Sequence, residues 1–278
     1  MDAAVQAGLR TGDIKPNIGT QVLTGKDELL TGAHSAEIRE LLEKRGVIVF
    51  PGIGFTDEEQ VAFTRTLGNT AKERTGEEVF TVSLDPKKSA GVEYLKGSFY
   101  WHFDGVIQAK PILASLLSAK VLPPTGGDTE FCNTYAAYDA LSDEDKDLIA
   151  GLKVIHSNWA PLLYHTPEPS QEQLELFASF GEIELPLVWT HKSGRKSLVL
   201  GCTATQVVGM DRKDSTLLLN RLREWATSEP FHYTHKWSDG DMVMWDNTGT
   251  LHRATEYPVD SGREMHRTKL EGEEPITA

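Results

Sequence analysis

Residues 231–245 read FHYTHKWSDGDMVMW, and this stretch decides the class of fold. Residues 231–237 and 242–245 are rich in aromatic and other apolar side chains, which favour β-strands. The polar segment Asp239-Gly240-Asp241 between them is typical of a turn. A third strand is predicted at residues 265–270. The last fifty residues are therefore predicted to be mostly sheet.

The rest of the chain is predicted to contain short strands and a few helices. Further strands are predicted at residues 47–50, 79–84, 112–121, 187–190, 197–201 and 206–208. Helices are predicted at residues 35–44, from a capping box at residues 56–59 onward, at 135–152 with a restart at Ser142, and at 217–227. Residues 70–97 and 159–170 show no periodicity and are predicted to be long loops. The pattern favours one domain, with a β-sandwich or barrel core and helices packed outside.

The charge balance excludes two classes of partner. The 278 residues include 28 basic and 41 acidic side chains, which gives a formal net charge of −13. An acidic surface repels phosphates, so neither nucleic acid nor a membrane surface is expected as a partner. No apolar run approaches the roughly 18–20 residues of a membrane span, and the first four residues do not resemble a signal peptide. Cys132 and Cys202 are too few for a disulfide framework, so a cytoplasmic protein is expected.

His102 and Asp104 are the first candidate residues for chemistry. In an extended segment, residues two apart point to the same face, so this imidazole and this carboxylate can meet one metal ion. His252 is the candidate for a second imidazole, and the alternative is a loop histidine that bonds only to backbone. Two histidines and one carboxylate leave three coordination positions open, which is typical of non-haem Fe(II) oxygenases.

Arg267 lies 15 residues after His252, on the strand predicted at residues 265–270. A buried arginine can bind a carboxylate through two parallel hydrogen bonds. Arg253, Arg263 and Lys269 lie close in the sequence, so a surface role for Arg267 stays open on this evidence.

Seven segments together suggest a family. In chain order they are FYWHFDG at 99–105, AKVLPPTGGDT at 119–129, YAAYDAL at 135–141, THKSGRK at 190–196, WDN at 245–247, LHRA at 251–254 and MHRT at 265–268. In these segments and in their order the chain resembles the taurine dioxygenase and 2,4-dichlorophenoxyacetate dioxygenase family of Fe(II)/2-oxoglutarate enzymes. The spacings of 27 residues from His102 to Thr129, and of 15 from His252 to Arg267, also fit this family.

The resemblance implies a fold and a set of roles. The implied fold is a double-stranded β-helix, a cupin-like jelly roll, with flanking helices. His102, Asp104 and His252 would bind Fe(II), and Arg267 and Thr129 would bind the distal carboxylate of 2-oxoglutarate, with Arg263 as a second basic residue nearby. Oxidation of 2-oxoglutarate by O₂ to succinate and CO₂ would drive hydroxylation of a C–H bond in a small molecule. Relatives are commonly dimers or tetramers, so a homodimer or homotetramer is implied.

Segments 70–100 and 159–170 are the expected substrate lids. Residues 69–74 and Ser98 depart from the pattern of sulfonate-using relatives, which disfavours taurine. Lys72, Arg74 or Lys96 would suit an anionic substrate. An aromatic or otherwise apolar substrate, with or without a carboxylate, is favoured by Tyr94, Phe99, Tyr100, Trp159, Leu162 and Tyr164.

Alternatives remain open at this point. An alkyl sulfonate dioxygenase of the same family would share the site. A zinc hydrolase would not explain Arg267 and Thr129, and a non-catalytic jelly-roll binding protein would be expected to have lost one of the three candidate metal ligands, all of which are present. His191 and His266 are expected to have structural roles, and His156 and His165 are candidates for substrate contact. The polar tail at residues 271–278 is expected to fray.

Overall fold

The computed structural model describes residues 8–73, 76–88 and 92–278. The strands are β1 (Thr11–Asp13), β2 (Thr20–Val22), β3 (Val47–Phe50), β4 (Phe80–Val82), β5 (Ala114–Val121), β6 (Thr129–Asn133), β7 (Lys153–Ser157), β8 (Glu182–Pro186), β9 (Val188–Thr190), β10 (Lys196–Leu198), β11 (Ala204–Val207), β12 (His232–His235), β13 (Met242–Asp246), β14 (Thr250–Ala254) and β15 (Glu264–Leu270). The helices are α1 (Lys26–Leu30), α2 (Ser35–Arg45), α3 (Asp57–Leu67), α4 (Val92–Leu95), α5 (Thr134–Asp139), α6 (Asp143–Ile149), α7 (Leu162–His165), α8 (Gln171–Ala178) and α9 (Arg212–Ala226). Short 3₁₀ helices lie at Lys96–Phe99, Glu229–Phe231 and Val259–Ser261.

Two sheets carry the residues of interest. The larger has seven strands in the order β1-β2-β3-β13-β5-β15-β4, and its neighbours are antiparallel except for the parallel pair β2 and β3. The second is an antiparallel three-stranded sheet in the order β12-β6-β14. The remaining strands form the sheet β11-β7-β8 and the pair β9 and β10. The expectation of a mostly β protein with flanking helices is confirmed.

Strand β3 shows how the layers are arranged. Successive side chains of a strand point to opposite faces of the sheet. Val47 and Val49 pack in one buried cluster with Phe131 of the three-stranded sheet. Ile48 and Phe50 pack in another cluster with apolar residues of α1, α2 and α3. The larger sheet is therefore covered by helices on one face and by the second sheet on the other.

Helix α3 confirms the capping box read from the sequence. The Thr56 side chain accepts a hydrogen bond from Glu59 N, and the Glu59 carboxylate accepts one from Thr56 N. This reciprocal pair satisfies two amide groups at the start of the helix that have no partner within it. Phe63 in the same helix is fully buried and packs edge-on against Phe50, with 5.4 Å between ring centroids.

The predicted loops at residues 70–97 and 159–170 are partly wrong. The first contains β4, within the strand predicted at 79–84, but also α4 and the start of the 3₁₀ helix at Lys96–Phe99. The second contains α7. These helical elements have four residues each, too short for a hydrophobic periodicity to be read from the sequence. Helix α8 begins at a capping box of Ser170 and Gln173, which was also missed.

The expectation that the tail at residues 271–278 frays is wrong. Glu274 accepts hydrogen bonds from Nδ1 of His191 at 2.8 Å and from the Lys192 amide at 2.9 Å. Arg39 pairs with Glu273 at 2.9 Å. These contacts bind the tail to α2 and to the turn after β9, which explains why a polar segment is ordered. No helix in the described part of the chain is long and apolar enough to cross a bilayer.

Candidate metal centre

An isolated β-bridge brings two histidines together. His102 N donates to the His252 carbonyl at 3.1 Å, and His252 N donates to the His102 carbonyl at 2.8 Å. The two imidazole rings then lie side by side, with centroids 4.2 Å apart. His252 is in β14 and not in a loop, so the strand fixes the direction in which its ring points.

Asp104 completes the cluster. Its Oδ1 lies 3.9 Å from Nε2 of His102, and its Oδ2 lies 3.8 Å from Nε2 of His252. One potential ligand atom from each of the three residues lies within 4.8 Å of the other two. The three side chains therefore converge on one point, as the sequence analysis predicted.

The hydrogen bonds and charges around the three side chains suit a divalent cation. Nδ1 of His102 lies 2.8 Å from the Tyr100 carbonyl and donates to it, which places Nε2 on the side of Asp104. Burial, followed by the charge of His102, lowers the pKa of His252 well below its ordinary value, so this imidazole is neutral. Burial opposes the charge of Asp104, but Arg267 and the two histidines hold its pKa well below the usual range. Two imidazole nitrogens and one carboxylate oxygen are a ligand set that fits a metal such as Fe(II).

Aromatic rings form one wall of this centre. The Trp245 ring lies 4.7 Å from that of His252, and the Phe131 ring stacks on it at 6.3 Å. Phe131 is also the cross-strand partner of His252 between β6 and β14, so both side chains lie on the same face. This wall keeps water from one side of the candidate metal site.

Arg267 lies directly beside the cluster. Its Nη1 donates to Oδ2 of Asp104 at 2.8 Å, and its guanidinium lies over the Phe80 ring at 5.3 Å. Its Nε is buried and has no hydrogen-bond partner in the described part of the chain. Arg267 therefore brings a positive charge to the metal end of the site.

Arg263 contacts the segment that leads into Thr129. Arg263 is only 4 % exposed, and its Nη2 donates to the carbonyl of Gly127, two residues before Thr129. The Arg263 guanidinium also stacks on Tyr257, 4.7 Å from its centroid. Thr129 is buried, and its Oγ1 accepts a hydrogen bond from Nε1 of Trp237 at 3.0 Å.

Residues 10–269 match the family described as "Taurine catabolism dioxygenase TauD, TfdA family". The chain belongs to this family. The alpha-ketoglutarate-dependent 2,4-dichlorophenoxyacetate dioxygenase of Cupriavidus pinatubonensis is 36% identical over 260 residues, which cover 86% of this chain and 89% of that protein. An alkylsulfatase of Acinetobacter baylyi is 33% identical over 250 residues, 85% of this chain and 76% of that protein.

A solved structure agrees with the assignment to the TauD/TfdA family. The crystal structure of AAD-2 in complex with Mn(II) and N-oxalylglycine superposes with a TM-score of 0.86 at 33% identity, covering 98% of this chain and 100% of that one. This TauD/TfdA family member is therefore a 2-oxoglutarate-dependent dioxygenase, and it uses Fe(II), 2-oxoglutarate and O₂.

Several of the predicted substrate residues make aromatic contacts. The Tyr100 ring packs on Tyr164 at 4.9 Å, which joins the two predicted lid segments. Phe99 packs on Tyr257 at 5.6 Å. Tyr94 is 57 % exposed, yet the charges of Asp104 and Arg267 both reach its hydroxyl; burial of that hydroxyl, then Asp104, raises its pKa.

Other predicted residues are buried or bond to partners other than the candidate metal ligands. Leu162 is fully buried, and the indole N–H of Trp159 donates to Glu182 at 2.7 Å. His156 is buried, with Nδ1 2.9 Å from Oγ1 of Thr203. Arg74, a candidate for binding an anionic substrate, lies outside the described residues. His266 bonds to Asp57 and Glu264, a structural role like that predicted for it.

Two residues near the site were not singled out from the sequence. Trp237 bonds to Thr129, and the side chain of Asn247 bonds to the backbone of Asp104. Asn247 lies in the WDN segment at 245–247, and its place in a family segment is the feature of the sequence that could have pointed to a role at the site. Nothing in the sequence pairs either residue with its partner.

Proposed function

We propose that this enzyme hydroxylates a C–H bond of a small organic molecule that has an aromatic or apolar body and an acidic group. Each turnover would consume one O₂ and one 2-oxoglutarate and would release succinate and CO₂. When bound, Fe(II) with 2-oxoglutarate and O₂ supplies the oxidising power that breaks an unactivated C–H bond. The observation that carries the proposal is the cluster of His102, Asp104 and His252 with Arg267 beside it.

In this proposal His102, Asp104 and His252 hold the Fe(II). The two histidines are held by the β-bridge between them, and Asp104 supplies the negative charge. This set leaves coordination positions free for 2-oxoglutarate and O₂. All three ligand groups are present, which distinguishes the proposal from a non-catalytic binding protein.

The contacts of the two arginines favour different partners. 2-Oxoglutarate binds metal through its keto-acid end, so its distal carboxylate lies at the other end of a five-carbon chain. Arg263 bonds to Gly127, two residues before Thr129, whereas Arg267 contacts a candidate metal ligand. We therefore propose that Arg263 with Thr129 binds the distal carboxylate. The sequence-based assignment of Arg267 to that carboxylate stays a prediction, and the alternative for Arg267 is the acidic group of the substrate.

The aromatic pairs support the proposed substrate body and the lids. Tyr100 and Tyr164 connect segments 70–100 and 159–170 at the site entrance, as expected for lids that close over an apolar ligand. The two sheets that face each other across Phe131 support a double-stranded β-helix. We propose that residues 1–278 form one such domain, and a homodimer or homotetramer stays a prediction.

A substrate panel tests the function. The purified enzyme would be incubated with Fe(II), 2-oxoglutarate and ascorbate, and with 2,4-dichlorophenoxyacetate, its neutral amide, a medium-chain alkyl sulfate or taurine. Succinate would be measured, and the products would be analysed by mass spectrometry under ¹⁸O₂. We expect succinate well above background with the aryl acid, ¹⁸O in the product, and a loss of both with the amide.

Other results of the panel would contradict the proposal. Turnover with the alkyl sulfate or taurine alone would indicate a sulfate ester or sulfonate substrate. Hydrolysis supported by Zn(II) without O₂ would indicate a hydrolase. An Asp104→Ala variant that retains full activity would exclude the proposed metal site.

A further inference from the structure

The side chain of Asn247 binds both backbone groups of Asp104. Its Oδ1 accepts a hydrogen bond from Asp104 N at 2.8 Å, and its Nδ2 donates to the Asp104 carbonyl at 2.9 Å. Nδ2 also donates to the carbonyl of Ile112 at 2.9 Å. Asn247 is only 1 % exposed, so these bonds form away from bulk water. One side-chain amide thus bonds to both the N–H and the carbonyl of Asp104.

This arrangement leaves little freedom to the amide. A primary amide has two N–H donors, and here both meet carbonyl oxygens while the oxygen meets an N–H. Rotating the amide by half a turn would place its oxygen against two carbonyl oxygens. The geometry therefore has one favourable orientation, and it fixes the backbone of Asp104 in that orientation as well.

The Asn247 side chain also links Asp104 to the part of the chain that carries His252. Asn247 directly follows β13, and five residues later His252 lies in β14. The backbone N–H of Asn247 donates to the Leu113 carbonyl at 2.9 Å, so the Asn247 backbone is held in place as well. The short connection that leads to His252 thus also sets the position of Asp104.

We propose that Asn247 is a positioning residue that directs the carboxylate of Asp104 toward the metal and so sets the affinity for it. The proposal rests on the function proposed above, because it takes Asp104 to be a metal ligand. Mutation of a residue that hydrogen-bonds to a metal ligand typically lowers metal affinity 10- to 100-fold. Asn247 has the burial and the bonds needed for such an effect.

The test measures the affinity for Mn(II) without turnover. Free Mn(II) would be followed by electron paramagnetic resonance during titration of the wild type and of Asn247→Ala and Asn247→Asp. The aspartate keeps the shape and one acceptor but places oxygen against two carbonyl oxygens. We expect affinity to fall about 10- to 100-fold in both variants. Having two variants matters because the loss of three buried hydrogen bonds in Asn247→Ala can also impair folding.

Asn133 provides a matched control. It is 2 % exposed, its Oδ1 accepts from the amides of Tyr135 and Ala136, and its Nδ2 donates to the carbonyl of Asn17 at 2.8 Å. Asn133→Ala therefore also removes three bonds to backbone from a buried asparagine, without touching Asp104. We expect it to lower stability and to leave the Mn(II) affinity within threefold of the wild type.

The outcomes separate the two proposals. Wild-type affinity in Asn247→Asp, or an equal loss in Asn133→Ala, would overturn the positioning role. A wild-type protein that binds no Mn(II), or binds it equally well after Asp104→Ala, would overturn the proposed metal site itself. Weak binding confined to the Asn247 and Asp104 variants would support both.

Discussion

Arg267 donates a hydrogen bond to Asp104, with 2.8 Å between Nη1 and Oδ2. The same carboxylate oxygen lies 3.8 Å from Nε2 of His252, so it has both an imidazole and a guanidinium as neighbours. Arg263, four residues earlier and just before β15, donates instead to the carbonyl of Gly127. One short segment therefore holds two arginines with different partners.

The first prediction separates the roles of these arginines. Arg263→Ala should raise the KM for 2-oxoglutarate by roughly 10- to 100-fold, because a charged hydrogen bond contributes about 1.5–3 kcal/mol. Arg267→Ala should mainly raise the KM for the acidic substrate. Initial rates of succinate formation, with each substrate varied in turn, provide both constants.

An arginine far from the site serves as the control for this comparison. Arg221 pairs with Asp145 at the surface, and Arg221→Ala should change neither KM. If Arg267→Ala raised the 2-oxoglutarate KM and Arg263→Ala did not, the sequence-based assignment of Arg267 would be the correct one.

The second prediction concerns Trp237. Because its indole N–H occupies one lone pair of the Thr129 hydroxyl, the hydroxyl hydrogen is free to be donated to a carboxylate. Trp237→Phe should raise the KM for 2-oxoglutarate about 3- to 10-fold at nearly constant kcat, since one neutral hydrogen bond contributes about 0.5–1.5 kcal/mol. Steady-state kinetics and calorimetric binding of 2-oxoglutarate with Mn(II) would measure this change.

Trp225 is the matched control for that substitution. Its indole N–H donates to the carbonyl of Ala137 at 2.9 Å, away from Thr129. Trp225→Phe should leave 2-oxoglutarate binding unchanged. In a Thr129→Val background, Trp237→Phe should have almost no further effect; a fully additive effect would mean that the indole acts by another route.

The third prediction is a pH dependence of stability that arises from His156. Burial lowers the pKa of this imidazole to about 4, whereas an unfolded chain has a value near 6.5. Below pH 6.5 the unfolded state takes up the proton first, so stability falls as the pH decreases toward the folded pKa. Between pH 7 and pH 5 this histidine should cost about 2 kcal/mol of unfolding free energy.

Urea unfolding at the two pH values measures this effect. In His156→Asn the loss on acidification should be smaller than in the wild type by about that amount. His34 is a control of opposite sign, because its hydrogen bond to Glu28 raises its pKa. The stability that His34 contributes is present below pH 6.5 and is lost as the pH rises, so His34→Gln should be more destabilising at pH 5 than at pH 7. Equal pH dependence in wild type and His156→Asn would contradict the prediction.

The fourth prediction concerns the tail. Glu274 is the acceptor for both the His191 imidazole and the Lys192 amide. Glu274→Ala should lower the free energy of unfolding by about 1–3 kcal/mol, because a buried imidazole N–H loses its partner. Glu271→Ala, an exposed position in the same segment, should stay within about 0.5 kcal/mol of the wild type. Chemical denaturation of both variants decides whether the tail contributes to stability.

Much of the fold could be predicted where the signal is local. Val47–Phe50 is a run of four buried apolar residues, and the capping box of Thr56 and Glu59 is complete within four positions. The strands Thr129–Asn133 and Thr250–Ala254 were missed because each mixes polar and apolar residues. The two strands are stabilised by pairing with each other, although more than a hundred residues separate them in the sequence. Such pairing leaves no trace in either segment alone.

The same distinction applies to the site. His102 and Asp104 can be predicted because residues two apart in an extended segment point to the same face. His252 can be predicted from the family segment LHRA at residues 251–254. The bond of Asn247 to Asp104 spans 143 positions, and that of Trp237 to Thr129 spans 108. Both depend on how the sheets are stacked, which composition and periodicity do not specify.

The bridge between His102 and His252 also has a consequence for how the enzyme is made. The two histidines lie 150 positions apart (252 − 102), so a ribosome completes one half of the metal site long before it starts the other. A growing chain carries His102 and Asp104 without their partner and is a poor chelator. We therefore expect iron to bind after β14 has been synthesised and paired.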